Sequence, residues 1–309
     1  MKNAPLEADI HTTGVAGTFY PDSGEVLREV VGAYLTAASQ LARADKETMG
    51  IMLPHAGYIF SGAVAGLTLA QTSLMPEPEL MPAMLAGQEP KRGAGQTFVI
   101  LGPCHHGRGF PLSVWPSGGW RNPLGDMQVD EELATALIEA PGSGYQANRN
   151  AHSGEHAIEV IIPFLQMLAP AARIVPISVS LYDPEKLRQA GKILAGQVTR
   201  LRAEGRQVVI ITSSDMNHFL PHAENMRQDA LALDRIRAMD PDGLFQVVSS
   251  RRITMCGFTA ACLMLNACLE LGAQECRITA HTSSGETGSK YGASMDRVVG
   301  YAGAIIPWA

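Results

Sequence analysis

The chain has 309 residues, of which 46 % are hydrophobic and 17 % charged, and its formal net charge is −6. That length and composition exclude a disordered chain and supply enough apolar surface for a large core. The acidic balance, without a basic block, argues against nucleic acid or an anionic membrane as partner, and no apolar run approaches the roughly 20 residues of a membrane helix.

In chain order, the opening MKNAPLEADIHTTG has no apolar secretory segment, so the cytoplasm is the expected compartment. Asp22, Ser23 and Gly24 can cap a helix running to about Ala42, with Val26, Val30 and Leu35 at apolar positions. Gly50 to Leu53 reads as a short strand ending at Pro54-His55, and Ser61 opens a small-residue helix to about Thr72. Residues 74–96 mix prolines and charges between core strands, which reads as a surface excursion and not a linker. Phe98 to Leu101 is a buried strand that stops at Gly102-Pro103, with Cys104-His105-His106 in the loop beyond it.

Leu112 to Trp115 is another strand, and Asp130 caps a helix to about Ala140. Ser153 can cap a helix from about Glu155, with Ile158, Ile161, Ile162 and Leu165 on one face and a kink at Pro163. Arg173 to Ser180 is a strand whose proline points to an edge or a bulge. Asp183-Pro184 opens a helix through Leu187, Leu194 and Leu201. Val208 to Ile211 is a buried strand that runs into Thr212 to Asp215. Helices follow at about 222–239 and 256–271, and a last strand at about 298–306. Ser283 to Ser289, rich in serine and glycine but lacking a phosphate-loop ending, reads as a flexible loop. This alternation predicts one α/β domain over residues 1–309, a three-layer α/β/α sandwich with a mostly parallel or mixed central sheet.

Three apolar strands end in a histidine within a few residues: His55 after Leu53, His105 after Leu101, and His218 after Ile211 with Asp215 between. Ligands of open α/β sheets bind beyond the carboxyl ends of strands, so the three can converge on one site. Either His105 or His106 serves there, because adjacent loop residues usually point apart. Cys256 is a fourth candidate, since it precedes an apolar helix whose N-terminus favours thiolate, the metal-binding form.

The five cysteines are an odd number and argue for a reducing compartment without a disulfide framework. Cys104, Cys262, Cys268 and Cys276 read as small apolar residues. His152 to His156 matches the zinc-peptidase pattern H-x-x-E-H, but Ser153 and Gly154 favour a helix that starts after His152 and aims it away from His156. A zinc peptidase therefore ranks low, and Glu155 and His156 are left as pocket-lining or helix-orienting groups. His11, His222 and His281 read as structural.

AGTFYP at 16–21, PHAGYIFSG at 54–62, ILGPCHHG at 100–107, NPLGDMQVD at 122–130, EHAIEVIIPFLQ at 155–166, SSDMNHF at 213–219 and CGFTAACLMLNA at 256–267, in that order, resemble the Memo family. In many prokaryotes this family is called AmmeMemoRadiSam system protein B. Its fold is similar to that of the class III extradiol ring-cleaving dioxygenases, non-haem iron enzymes with two histidines and a carboxylate on the metal. The resemblance implies metal ligands at His55 and His105, with Cys256 where the dioxygenases have their carboxylate. It places His218 and Asp215 beside them as site residues. It implies iron or copper as cofactor, with zinc behind them, because a soft thiolate changes which metals and redox states are favoured.

The expectation is a dioxygenase-like metal oxidoreductase, with His218 as acid or base and Asp215 orienting an imidazole. The substrate would be a small molecule or a peptide, and a radical-SAM protein a partner. The competing expectation is a peptide- or ligand-binding module without turnover.

Overall fold

The apolar runs assemble edge to edge. In the computed structural model, which describes residues 9–38 and 46–309, the strands are β1 (Ile10–His11), β2 (Thr48–Leu53), β3 (Gln96–Pro103), β4 (Leu112–Val114), β5 (Gly119–Asn122), β6 (Gly125–Gln128), β7 (Tyr145–Ala147), β8 (Arg173–Val179), β9 (Gln207–Ser213), β10 (His218–Leu220), β11 (Arg277–Ser283) and β12 (Val298–Pro307). Nine of them form one sheet in the order β10-β12-β2-β9-β3-β8-β4-β7, with β11 also paired to β12. Its centre, β2-β9-β3-β8, is parallel, while β12 and β4 join antiparallel, so the sheet is mixed. β1, β5 and β6 form a separate small sheet.

Helices cover both faces, giving the three-layer sandwich. Phe98, Val99, Ile100 and Leu101 of β3 are fully buried, as continuous apolar runs in parallel strands should be. The helices Pro184–Ala203 and Phe258–Glu270 pack together over β3 and β9. The helix Tyr58–Leu69 lies against β12, where Gly303 is required: a Cβ there would come within 1.8 Å of Thr68 Oγ1. Among the described residues no helix is long and apolar enough to cross a membrane.

Local signals set most boundaries. Ser23, Asp130 and Asp183 cap their helices by accepting the main-chain N–H of Val26, Leu133 and Lys186. The first helix is Gly24–Ala37; its expected end near Ala42 lies outside the described residues.

Four expectations need correction. The second helix starts at Tyr58, ahead of Ser61. The helix expected from about Glu155 starts only at Ile162, so Pro163 kinks nothing: it sits in the first turn of the helix Ile162–Leu168, where its missing N–H costs nothing. Pro176 lies in β8 between β3 and β4, not on an edge. Its carbonyl accepts the N–H of Trp115, and its nitrogen, on the same side of the strand, faces the end of β4, so the missing N–H removes only the terminal reciprocal bond of that ladder. Ser283 to Ser289 is not a flexible loop but opens the short helix Ser284–Thr287, fixed by a capping box between Ser283 and Glu286.

Asp130 carries more than its cap, because its buried carboxylate also accepts the Thr97 hydroxyl at 2.5 Å and pairs with Arg206. Asp130→Ala should therefore cost about 2–4 kcal/mol, the sum of a lost cap and a broken, partly buried ion pair. Urea unfolding of the two proteins at one pH measures this, and a loss under about 0.5 kcal/mol would contradict the assigned role.

Candidate metal centre

The site begins with strand register. β2 and β9 run parallel with Leu53 opposite Ser213, and His55 follows two residues beyond Leu53. His55 is buried, and its Nδ1 lies 2.8 Å from Ser213 Oγ. That hydroxyl donates its only proton to the Ala157 carbonyl at 2.6 Å, so it must accept from the imidazole. His55 therefore carries its proton on Nδ1 and a lone pair on Nε2. Nε2 faces Cys256 Sγ at 3.3 Å.

His105 lies in the loop after β3. The buried Glu155 grips it twice, accepting its main-chain N–H at 2.6 Å and its Nδ1–H at 2.8 Å. The Nε2 lone pair of His105 is thus also left free. His156 stacks on His105 with ring centroids 4.9 Å apart and stands edge-on to His55 at 5.5 Å. One ring nitrogen from each of His55, His105 and His156 lies within 4.8 Å of the other two, a spacing that can hold one metal ion. His106, the rival to His105, is exposed and donates to the Gly154 carbonyl at 2.8 Å.

His156 was not singled out among the strand-end histidines. Its signal was Glu155-His156 inside the H-x-x-E-H pattern, where the pairing sought was with His152. His152 instead enters a separate cluster with Trp115 and Trp120.

Cys256 precedes the helix Phe258–Glu270 by two residues. Gly257 lets this turn approach the end of β9: a Cβ there would sit 2.4 Å from the Ser213 carbonyl. The main-chain N–H of Asp215 points at the sulfur at 3.3 Å. Asp215 Oδ1 accepts the main-chain N–H of His55 at 2.8 Å. So Asp215 holds the His55 backbone with its carboxylate and the Cys256 sulfur with its own main-chain N–H, and the imidazoles of His55 and His105 are oriented by Ser213 and Glu155. His218, on β10, donates its main-chain N–H to Thr254 Oγ1 at 2.7 Å and its Nδ1–H to the Thr254 carbonyl at 2.8 Å. Its Nε2 keeps a lone pair.

Burial holds His55 down to about 3, helped by the neighbouring charge of His105. Burial, then the charge of His55, brings His156 to about 4. Burial opposes ionisation of both Glu155 and His105, but the hydrogen bond and charge between them outweigh it. Glu155 falls to about 2 and His105 rises. Burial, with the Asp215 charge behind it, pushes the Cys256 thiol up, contrary to the thiolate expected from a helix start. At neutral pH two imidazoles are therefore ready as neutral donors, whereas the thiol must lose its proton to bind a cation.

A family model described as Memo-like protein matches residues 12–305. The MEMO1 family protein of Pyrobaculum arsenaticum is 35 % identical over 301 residues, covering 96 % of this chain and 98 % of that one. Those of Ignicoccus hospitalis and Methanopyrus kandleri are 33 % and 32 % identical, covering 96 % and 94 % of this chain and 99 % and 96 % of theirs. An uncharacterized Escherichia coli K12 protein of known crystal structure aligns at a TM-score of 0.42 and 13 % identity, over 84 % of this chain and 100 % of that one, a likeness too remote to bear on chemistry.

Two outcomes follow from the geometry. His55 and His156 are neutral in the folded metal-free chain but titrate near 6.5 when unfolded, so folding stability falls as pH drops from about 6.5 towards 3–4. The depressed Glu155 adds to that loss below about 4.5, and the raised His105 works the other way above 6.5. Urea midpoints of metal-free protein between pH 7 and 4 should decline, less steeply in His55→Gln, about in proportion to the lost proton linkage. Separately, Glu155→Gln should weaken metal binding about 10–100-fold without removing a ligand; competition with a chelator reads this, and unchanged affinity would refute the orienting role.

Proposed function

The chain belongs to the Memo family, and on that premise we propose that it is a dioxygenase-like metal oxidoreductase whose single iron or copper ion is held by His55, His105 and Cys256. The observation that carries this reading is the sulfur of Cys256 at 3.3 Å from the lone pair of His55 Nε2, beside the cluster of three imidazoles. Imidazoles with one soft sulfur suit copper, iron or zinc, and a set without carboxylate ligands does not suit magnesium or calcium. His156 is a further nitrogen donor within reach.

Once bound, such an ion supplies one-electron redox chemistry and Lewis acidity. The protein does the rest. Without metal, the Cys256 S–H donates to His55 Nε2, and Cys256 would give up that proton to serve as a ligand. Ser213 and Glu155 lock the tautomers of His55 and His105, so both present lone pairs without reorganising. The burial of His55 keeps one side of the centre dry, while the partly exposed His105 leaves the other side open to a small molecule. His218, locked on Nδ1 by Thr254, can take a proton on Nε2 from a group bound beside the metal. Peptidase chemistry fits poorly, because Glu155 is spent on His105 and His152 faces another cluster.

Protein purified without added metal should contain close to one equivalent of iron or copper per chain, by elemental analysis. His55→Ala and Cys256→Ser should lose most of it, whereas His218→Gln should keep the metal and lose O₂ consumption supported by a reductant. Equal metal content in wild type, His55→Ala and Cys256→Ser would sink the assignment.

A further inference from the structure

The segment 9–20 lies as a strap across the loop that carries Glu155 and His156, and three fastenings hold it. Arg149 donates to Asp9 Oδ1 at 2.7 Å. Glu159, buried, accepts the N–H of Gly14 at 2.8 Å, that of Val15 at 3.1 Å and the Tyr20 hydroxyl at 2.6 Å. Between these sits His11, 6 % exposed, stacked on Trp120 with centroids 3.9 Å apart. The far end of the strap reaches the metal centre, where the ring of Phe19 packs on His156 at 4.8 Å. The strap is thus one wall of that centre.

His11 Nε2 lies 3.0 Å from the His152 carbonyl, and His152 Nε2 lies 3.0 Å from the Ser113 carbonyl. A carbonyl only accepts, so both Nε2 atoms carry protons. Both Nδ1 atoms are then bare lone pairs, and both are buried without a partner. A second proton on either ring would add a charge and a donor where no acceptor waits. The face of Trp120 would recover part of that cost, but the Arg149 guanidinium already lies 5.2 Å from the Trp115 centroid and adds positive charge to the same cluster. The other charged groups facing the pair are Asp9, Glu155 and Glu159. Glu159 raises His11 and Glu155 raises His152, yet burial outweighs both, lowering His11 and holding His152 to about 3.

We propose that His11 and His152 form an acid-sensitive clasp: neutral, they hold the strap against the metal-centre loop, and protonated, they release it and uncover the His156 side of the centre. A released strap lets the imidazoles titrate at their ordinary 6.5. Closure is therefore at full strength above about pH 6.5 and weakens as pH falls below it.

Hydrogen exchange of the metal-free full chain, corrected for intrinsic rates, tests the clasp. Each imidazole that ionises only on release favours opening about thirtyfold at pH 5 relative to pH 7.5. Protection of the amides of Gly14 and Val15 should fall at least that much, while β3 and β9 keep theirs. In the double variant His11→Gln, His152→Gln the amide side chains can still donate to the two carbonyls but take no proton, so the fall should vanish. The proposal is overturned if strap and core protection change in parallel in the wild type, or if the double variant loses strap protection as the wild type does. Should the double variant not fold, the wild-type profile decides alone.

Discussion

The parallel register of β2 on β9 is the constraint on which the centre rests. With Leu53 opposite Ser213, a chain leaving β2 through Pro54 must bring His55 over the Ser213 hydroxyl. A slip of one residue would turn Ser213 to the opposite face of the sheet and leave a buried imidazole without an acceptor. Because β3 pairs with the other edge of β9, the loop bearing His105 is delivered to the same rim.

Three imidazoles each commit one proton to a named acceptor. His55 gives its proton to Ser213, His105 to Glu155 and His218 to the Thr254 carbonyl. The remaining nitrogens are lone pairs by necessity, and their common environment follows from where those acceptors lie. Burying such groups is costly, and the structure limits the cost by keeping His55 and His156 neutral and by pairing the Glu155 carboxylate with His105. Gly257 completes the arrangement, because only a residue without Cβ allows the Cys256 turn to press against the end of β9.

The strap and the 149–159 loop show the same economy of polar groups outside the sheet. Glu159 satisfies two main-chain donors that would otherwise be stranded at a sharp change of chain direction, and a hydroxyl besides. The loop is therefore shared: one side builds the centre through Glu155 and His156, and the other anchors the N-terminal strap.

The α/β class, the caps at Asp130 and Asp183, and the strand-end placement of His55 and His105 were legible in the sequence, because periodicity, capping chemistry and apolar runs act locally. The part of His156 was not, since its neighbours in space come from β2 and the loop after β3, and its local pattern suggested His152 as its companion. Asp215 likewise takes as its donor a backbone amide, that of His55, which no local pattern marks as its partner. Pro176 looked like an edge residue because sequence shows that an N–H is missing, but not which side of the strand lacks it. Sequence alone thus determined which residues carry donors and which apolar runs form the central strands. Only the tertiary structure decided which ring nitrogens hold a proton and which keep a lone pair, because tautomer and direction are set by contacts between residues as far apart as 55 and 213.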